Sequence, residues 1–265
     1  MSRETRSATR ATPAQSAFPQ QSINIGGIPV LNLTQLDAVA LVDRMVLEGG
    51  SHYGAVVNAA KIASANKNEK LKRVLMDADF VTADGMSVVW ASRVLGRALK
   101  QRVTGIDLFQ LLVEHAASRG LSVYFLGARD EAVRGTVEQL TARHPKLRVA
   151  GYRNGYFEES ESDAVAQAIR AQEADLLFVA MGSPAQEYWI ASNVTRTGVR
   201  FALGVGGSFD HVSGLVARAP ELMQRAGLEW FHRLVKEPRR LWKRYLVGNL
   251  EFIWIVARQF ISRMH

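Results

Sequence analysis

The sequence predicts a mainly parallel, doubly wound α/β sheet followed by a C-terminal helical appendage. Three observations carry that expectation. Short strand-like runs alternate with helical stretches from Ile23 to about residue 217. Two of those runs, SVYFLGA and ADLLFVAMG, are apolar almost throughout, as strands buried on both faces are. After Pro220 the alternation stops and only helical periodicity remains. Strands separated by helices require right-handed crossovers, which make neighbouring strands parallel.

Taken in order, residues 1–23 are rich in Ser, Thr, Ala and Gln without apolar periodicity, and are expected to form a flexible leader. They lack the apolar stretch of a secretory signal. INIGGIPVLNL reads as a strand or hairpin, and Thr34 caps the helical TQLDAVALVDRMVLEGG. YGAVVN is a strand, AAKIASANKNEKLKRVLMDA one helix, and DFVTADG a strand ending in a glycine turn. MSVVWASRVLG and DLFQLLVEHAASRG are helical. SVYFLGA, LRVAGYR, ADLLFVAMG and RFALGVGG supply four more strands, with helices DEAVRGTVEQLTARHP, SESDAVAQAIRAQEA and PAQEYWIASNV between them. Pro184 suits a first helical turn. Residues 24–217 are thus expected to form an α/β body and residues 218–265 a basic amphipathic appendage.

Composition limits the function classes. With 48% hydrophobic and 22% charged residues the chain is no disordered tail, and with no cysteine it has no disulfide, thiolate metal site or cysteine nucleophile. The net charge of +8 is unevenly placed: +2 in residues 1–23, +6 in residues 218–265, zero between. A neutral body with a basic tail calls for an anionic partner at the tail. In the last helical stretch Trp242, Leu246, Leu250, Ile253, Ala257, Phe260, Ile261 and Met264 fall on one face. Past Glu251 the longest charge-free run is residues 252–257, far short of the roughly 20 residues that span a bilayer. Two readings follow: the segment packs on the body with its cations in water, or it lies in a membrane interface.

Ligands of a doubly wound sheet bind beyond the carboxyl ends of its strands. Asn58 ends the first strand, where it can bond a sugar or base, or cap the next helix. Asp84, before the turn at Gly85, can serve as general base, or as an Asx-turn. Asp77-Ala78-Asp79 has a D-x-D spelling but precedes its strand, at the wrong sheet edge. Arg102 stands just before a helix start capped by Thr104 or Asp107, a ready phosphate position. Gly127 follows SVYFL. Gly182 closes a buried strand, and Gln186 and Glu187 in the next first turn are expected to project into the crevice with Asp84. Gly206 and Gly207 lie in Gly204-Val205-Gly206-Gly207, a turn able to admit phosphate or sugar. That turn reads only G-x-G-x-x-F, so the dinucleotide fingerprint of a nicotinamide oxidoreductase is broken. A neutral body without a recognition motif likewise disfavours a nucleic-acid-binding protein. The six histidines form no metal-ligand spacing, and no metal or cofactor is expected.

Several spellings occur in one order: Ala83-Asp84-Gly85, Arg102-Val103-Thr104-Gly105, Gly182-x-Pro184-x-Gln186-Glu187, Gly204-Val205-Gly206-Gly207-x-Phe209-Asp210, Arg218-Ala219-Pro220, Gly227-Leu228-Glu229-Trp230 and Glu237-Pro238-Arg239-Arg240. Over roughly residues 24–245 the chain strongly resembles the WecG/TagA/CpsF family of bacterial glycosyltransferases. The resemblance implies a Rossmann-like catalytic domain. It also implies inverting transfer from a UDP-sugar to a polyprenyl-diphosphate-linked saccharide, without an obligatory metal, by a monotopic protein at the cytoplasmic face of the membrane. It makes Asp84 the base, and Asn58, Arg102 and Gln186 substrate contacts. From the appendage, Arg233, Arg239, Arg240 and Arg244 become candidates to reach the diphosphate. Several members carry Thr two residues before the Asn, where this chain has Val56, so that hydroxyl contact to a sugar is absent here.

Overall fold

Gly26 and Gly27, both at positive φ, turn the chain between β1 (Ser22–Ile25) and β2 (Ile28–Leu31), which pair as an antiparallel hairpin. The computed structural model describes residues 21–220, 222–223, 229–236, 238–242 and 246–264, without the side chains of Arg233, Arg240, Leu241 and Met264. The expected leader lies outside the described residues as far as residue 20. Its last two residues belong to β1, because Ile23 is buried and pairs with Val30.

The main sheet is built from β3 (His52–Val57), β4 (Phe80–Ala83), β5 (Ser122–Gly127), β6 (Arg148–Arg153), β7 (Leu176–Ala180) and β8 (Phe201–Gly204). Its order is β4-β3-β8-β7-β5-β6, every pairing is parallel, and all four interior strands are buried along nearly their whole length. That explains why these strands read as apolar runs rather than as alternation.

The helices follow their end signals. In α1 (Gln35–Glu48), Thr34 and Asp37 form a reciprocal capping box. The stretch expected as one helix is two, α2 (Ala59–Lys67) and α3 (Glu69–Met76). Asn68 breaks it: its backbone is extended and its side chain accepts the Leu71 N–H, so Asn68 starts a new helix rather than continuing the old one. α4 (Met86–Val94) follows the Gly85 turn. Thr104 caps α5 (Gly105–Arg119), which Gly120 ends in the left-handed conformation. Then come α6 (Asp130–Arg143), α7 (Ser162–Arg170), α8 (Ala185–Thr197) and the short α9 (Ser208–Val212), which periodicity had not indicated.

α1, α5, α6 and α9 cover one face of the sheet; α2, α3, α7 and α8 cover the other. On the first face Phe109, Phe125, Phe178 and Phe209 interlock, with Phe109 and Phe178 centroids 4.8 Å apart. This cluster fixes α5 and α9 against the strands, and so sets where the start of α5 meets the sheet edge.

In the appendage, α10 (Glu229–Lys236) and α11 (Pro238–Trp242) precede α12 (Gly248–Met264). Residues 243–245 lie outside the described set, so the single helix expected from Pro238 onward is seen as these two segments. α12 docks on α2 and the hairpin, burying Phe252 and Val256 among Ile23, Ile25 and Ile62. Its opposite face exposes Leu250, Ile253, Trp254, Phe260 and Ile261. The reading in which the segment packs on the body thus holds for one face of α12, while the other face is left exposed. Among the described residues no helix is long and apolar enough to cross a membrane.

Candidate active site

The carboxyl ends of β4, β3, β8 and β7 stand side by side, and they bring Asp84, Asn58, the Gly206-Gly207 turn and Gly182 to one edge of the sheet. The chain diverges here: it leaves β3 into α2 on one face of the sheet and leaves the neighbouring β8 into α9 on the other. A crevice at such a switch point is where doubly wound sheets hold ligands. Asp79 stands just before β4 at the opposite edge, accepting the Tyr53 N–H and pairing with His52, so the D-x-D stands away from the crevice as expected.

Asp84 continues the ladder, its N–H donating to the Val57 carbonyl at 2.8 Å. Its half-buried carboxylate accepts the N–H of Gly105, the first residue of α5, at 3.3 Å. The helix start thus orients the carboxylate. Asn58 is next to it: a Cβ built on Gly85 would lie 3.6 Å from the Asn58 Cβ. Asn58 also caps α2, accepting the Lys61 N–H at 3.0 Å, so the capping role is real. Val56 sits beneath, buried against Gly105.

Arg102 reaches the same place because Val103 donates to the Ala83 carbonyl at 2.8 Å, laying the loop across the end of β4. Its guanidinium stands 3.6 Å from Glu229 at the start of α10. Arg218 joins them, 2.8 Å from Asp107 and 3.1 Å from Glu229. Burial opposes the Arg218 charge, but Asp107 and Glu229 outweigh it and hold its pKa above the usual arginine value. Asp107 also accepts the Thr104 hydroxyl at 2.6 Å. Two cations and two carboxylates thus lock the start of the appendage to the start of α5. Sequence reasoning assigned no role to Arg218, Glu229 or Lys61, although the first two stood in its ordered spellings. The missing signal was spatial: Arg218 is 111 positions from Asp107 in the sequence.

Gln186 and Glu187 do not project into the crevice as expected. Gln186 is 2% exposed; its carbonyl accepts the Gly206 N–H at 3.0 Å and its amide donates to Glu187 at 2.9 Å. It holds the glycine turn in place from beneath. Glu187 is buried against Lys61 at 2.7 Å, and Lys61 also donates to the Val56 carbonyl. Burial alone would raise the Glu187 pKa, but the Lys61 ammonium, with bonds from Lys61, Gln186 and Ser183, lowers it below the usual value. The first turn of α8 faces inward because Trp189 and Ile190 pack on the sheet, and that rotation carries Gln186 and Glu187 with it.

The glycines separate into two kinds. A Cβ on Gly127 would lie 2.5 Å from the Ala180 backbone, so Gly127 serves the close approach of β5 to β7 rather than a ligand. Gly182 and Gly206, both at positive φ, have open space where a side chain would stand. Gly207 is exposed beside them. These are the backbone positions a ligand can approach. Of the appendage arginines, Arg239 is exposed on α11; the side chains of Arg233 and Arg240 and all of Arg244 lie outside the described residues.

Comparison with known proteins agrees with this architecture. Two bacterial relatives are each named N-acetylglucosaminyldiphosphoundecaprenol N-acetyl-beta-D-mannosaminyltransferase. The one from Bacillus spizizenii is 38% identical over 182 residues, 69% of this chain and 70% of its own. The one from Bacillus subtilis is 33% identical over 229 residues, 85% of this chain and 88% of its own. The family model for glycosyl transferases of the WecG/TagA/CpsF type matches residues 23–265. With the matched span taking in both the crevice and the appendage, the chain belongs to the WecG/TagA/CpsF family of glycosyl transferases.

Proposed function

We propose that the protein transfers a hexose or N-acetylhexosamine from a UDP-sugar to a sugar carried on a polyprenyl diphosphate, with inversion at the anomeric carbon. The product would feed synthesis of an exopolysaccharide, capsule or cell-wall polymer. The observation that carries the reading is the Asp84 carboxylate at the tip of β4, held by the Gly105 amide within a crevice flanked by arginines. The names of the two Bacillus relatives support a lipid-diphosphate acceptor.

In this mechanism Asp84 takes the proton of the acceptor hydroxyl as that oxygen attacks the anomeric carbon. The new carbon–oxygen bond forms on the side opposite the bond to UDP, which breaks and leaves its electron pair on the diphosphate. The amino end of α5 favours negative charge and can stabilise a departing diphosphate, with Arg102 and Arg218 exchanging their Glu229 and Asp107 contacts for it. Gly182, Gly206 and Gly207 admit donor atoms close to backbone, and Asn58 offers its amide to a sugar hydroxyl. Arg239, with Arg233, Arg240 and Arg244, supplies further cations from the appendage. The exposed apolar face of α12, in a segment of net charge +6, supports peripheral attachment to an anionic membrane surface at the cytoplasmic face, where such an acceptor is embedded.

The test is a screen of UDP-sugars, including UDP-N-acetylmannosamine and UDP-glucose, against polyprenyl-diphosphate N-acetylglucosamine and glucose. Mass spectrometry reads the transfer, and NMR of the anomeric proton reads its stereochemistry. One pair should turn over, with the opposite anomeric configuration in the product. Retained configuration would sink the inverting step, and no turnover with any pair would sink the transfer itself.

A further inference from the structure

Away from the crevice, a groove of about 620 Å³ runs between the β1–β2 turn, the α2–α3 pair and α12. Asn24, Asn66, Lys72, Trp254, Arg258 and Ser262 are among the residues that line it, and no carboxylate among the described residues does. It is built rather than incidental. Gln259 of α12 clamps the turn, accepting the Gly26 N–H at 2.8 Å and donating to the Asn24 carbonyl at 2.8 Å. Arg263 donates to the Leu95 carbonyl at 2.8 Å, and the Asn66 amide donates to the Gly26 and Ile62 carbonyls. Those polar groups are committed to holding the walls.

Two cations are not. Neither Lys72 nor Arg258 has a carboxylate partner among the described residues. The Arg258 guanidinium lies 5.5 Å over the ring of Trp254, which steadies it. The nearby Glu251 is already neutralised by Lys67.

The position of the groove on α12 identifies its ligand. Trp254, Arg258 and Ser262 recur every four residues and form one row along the helix. On one side of that row lies the docked face with Phe252, Val256 and Gln259; on the other lies the exposed apolar face with Leu250, Ile253 and Ile261. If the apolar face meets a bilayer, as proposed above, the row falls at headgroup depth, where Trp254, 62% exposed, is suited to sit. We infer that this groove binds the phosphate of an anionic phospholipid headgroup. Arg258 can donate to it through its planar fork and Lys72 provides the second charge, with the acyl chains lying along Leu250, Ile253 and Ile261. The inference rests on membrane attachment through α12 and adds a specific lipid site to it.

The experiment compares the full chain with the double variant Lys72→Gln/Arg258→Gln in vesicle flotation. One vesicle set is phosphatidylcholine alone; the other mixes it equally with phosphatidylglycerol. Unchanged melting temperature and unchanged turnover of a water-soluble short-chain acceptor establish that the variant is folded. The wild type should favour the mixed vesicles, and the variant should lose about thirty-fold in partition to them, the factor expected for two surface cations. Its binding to neutral vesicles should not change. Equal partition of both proteins to the mixed vesicles would overturn the groove while leaving membrane attachment intact. Absence of wild-type binding to either set would overturn attachment and the groove together. A titration with inorganic phosphate, followed by NMR of the Arg258 guanidinium, supplies the last arm: saturation without lipid would make this a soluble-phosphate site and overturn the lipid assignment.

Discussion

Asp84 and Glu187 are two carboxylates near one sheet edge with opposite environments. Asp84 is half-buried at the crevice and touches the start of α5; Glu187 is buried and neutralised by Lys61. Only the first can reach an acceptor hydroxyl. Asp84→Asn keeps the shape and the ability to accept the Gly105 N–H but loses the proton acceptor. Turnover should fall by about 10²–10⁴-fold with UDP affinity within about threefold, measured by steady-state kinetics and calorimetry. Near-normal turnover would remove Asp84 as base. Lys61→Met leaves Glu187 as an uncompensated buried charge, and it should destabilise the fold by about 3–5 kcal/mol in urea unfolding. Adding Glu187→Leu should recover most of that loss, since the pair can be replaced by apolar volume. A single-variant cost below about 1 kcal/mol would mean that the pair is not shielded as described.

At the scale of elements, the sheet is tied at both ends by side chains from loops and from the first turns of elements. At its amino edge His52 at the start of β3 pairs with Asp79 just before β4, and its Nε2 lies 3.2 Å from the Gly49 carbonyl. The Asp79 carboxylate, 3.6 Å from the ring, is the largest influence on His52 and raises its pKa above the usual value, against the opposing effect of burial. A raised histidine contributes stability fully below its unfolded pKa of about 6.5 and loses it as pH rises through the folded value. Asp79 is substantially exposed, so the contribution is small, under about 1 kcal/mol. Between pH 6 and pH 8 the wild type should lose about 1–3 °C of melting temperature relative to His52→Gln. Parallel melting curves for the two proteins would show that this pair contributes nothing. At the carboxyl edge the Arg102–Glu229–Arg218–Asp107 group has the same joining role, fastening α10 to α5 across the crevice.

For the molecule as a whole, α12 changes which experiment isolates membrane attachment. Cutting the chain after Pro220 would strip Phe252 and Val256 from the core around Ile62, and so confuse unfolding with loss of the anchor. Substituting the outward face avoids this. Leu250→Ser/Ile253→Ser/Ile261→Ser should leave the melting temperature within about 2 °C, because these side chains are exposed, yet reduce vesicle flotation at least about tenfold. The residual binding should vanish at high salt, since only screened charge then remains. Flotation equal to wild type would show that the outward face of α12 is not what meets the bilayer.

Local order was legible because it depends on neighbours in sequence. Turn glycines, the Thr34 and Thr104 caps and the apolar runs determined the alternation and hence a parallel sheet, and sheet topology then put Asp84, Asn58 and Gly206 at one edge. Even the Asn68 break was written there, hidden because a cap residue between two helical stretches looks like a tolerated interior one. What only the tertiary structure decided is which way each side chain turns. Packing of Trp189 and Ile190 rotated Gln186 and Glu187 inward, β7 claimed Gly127, and Arg218 found acids that are distant along the chain. Period and capping act over about four residues, whereas burial and ion pairing act through space; sequence read alone sees the first and not the second.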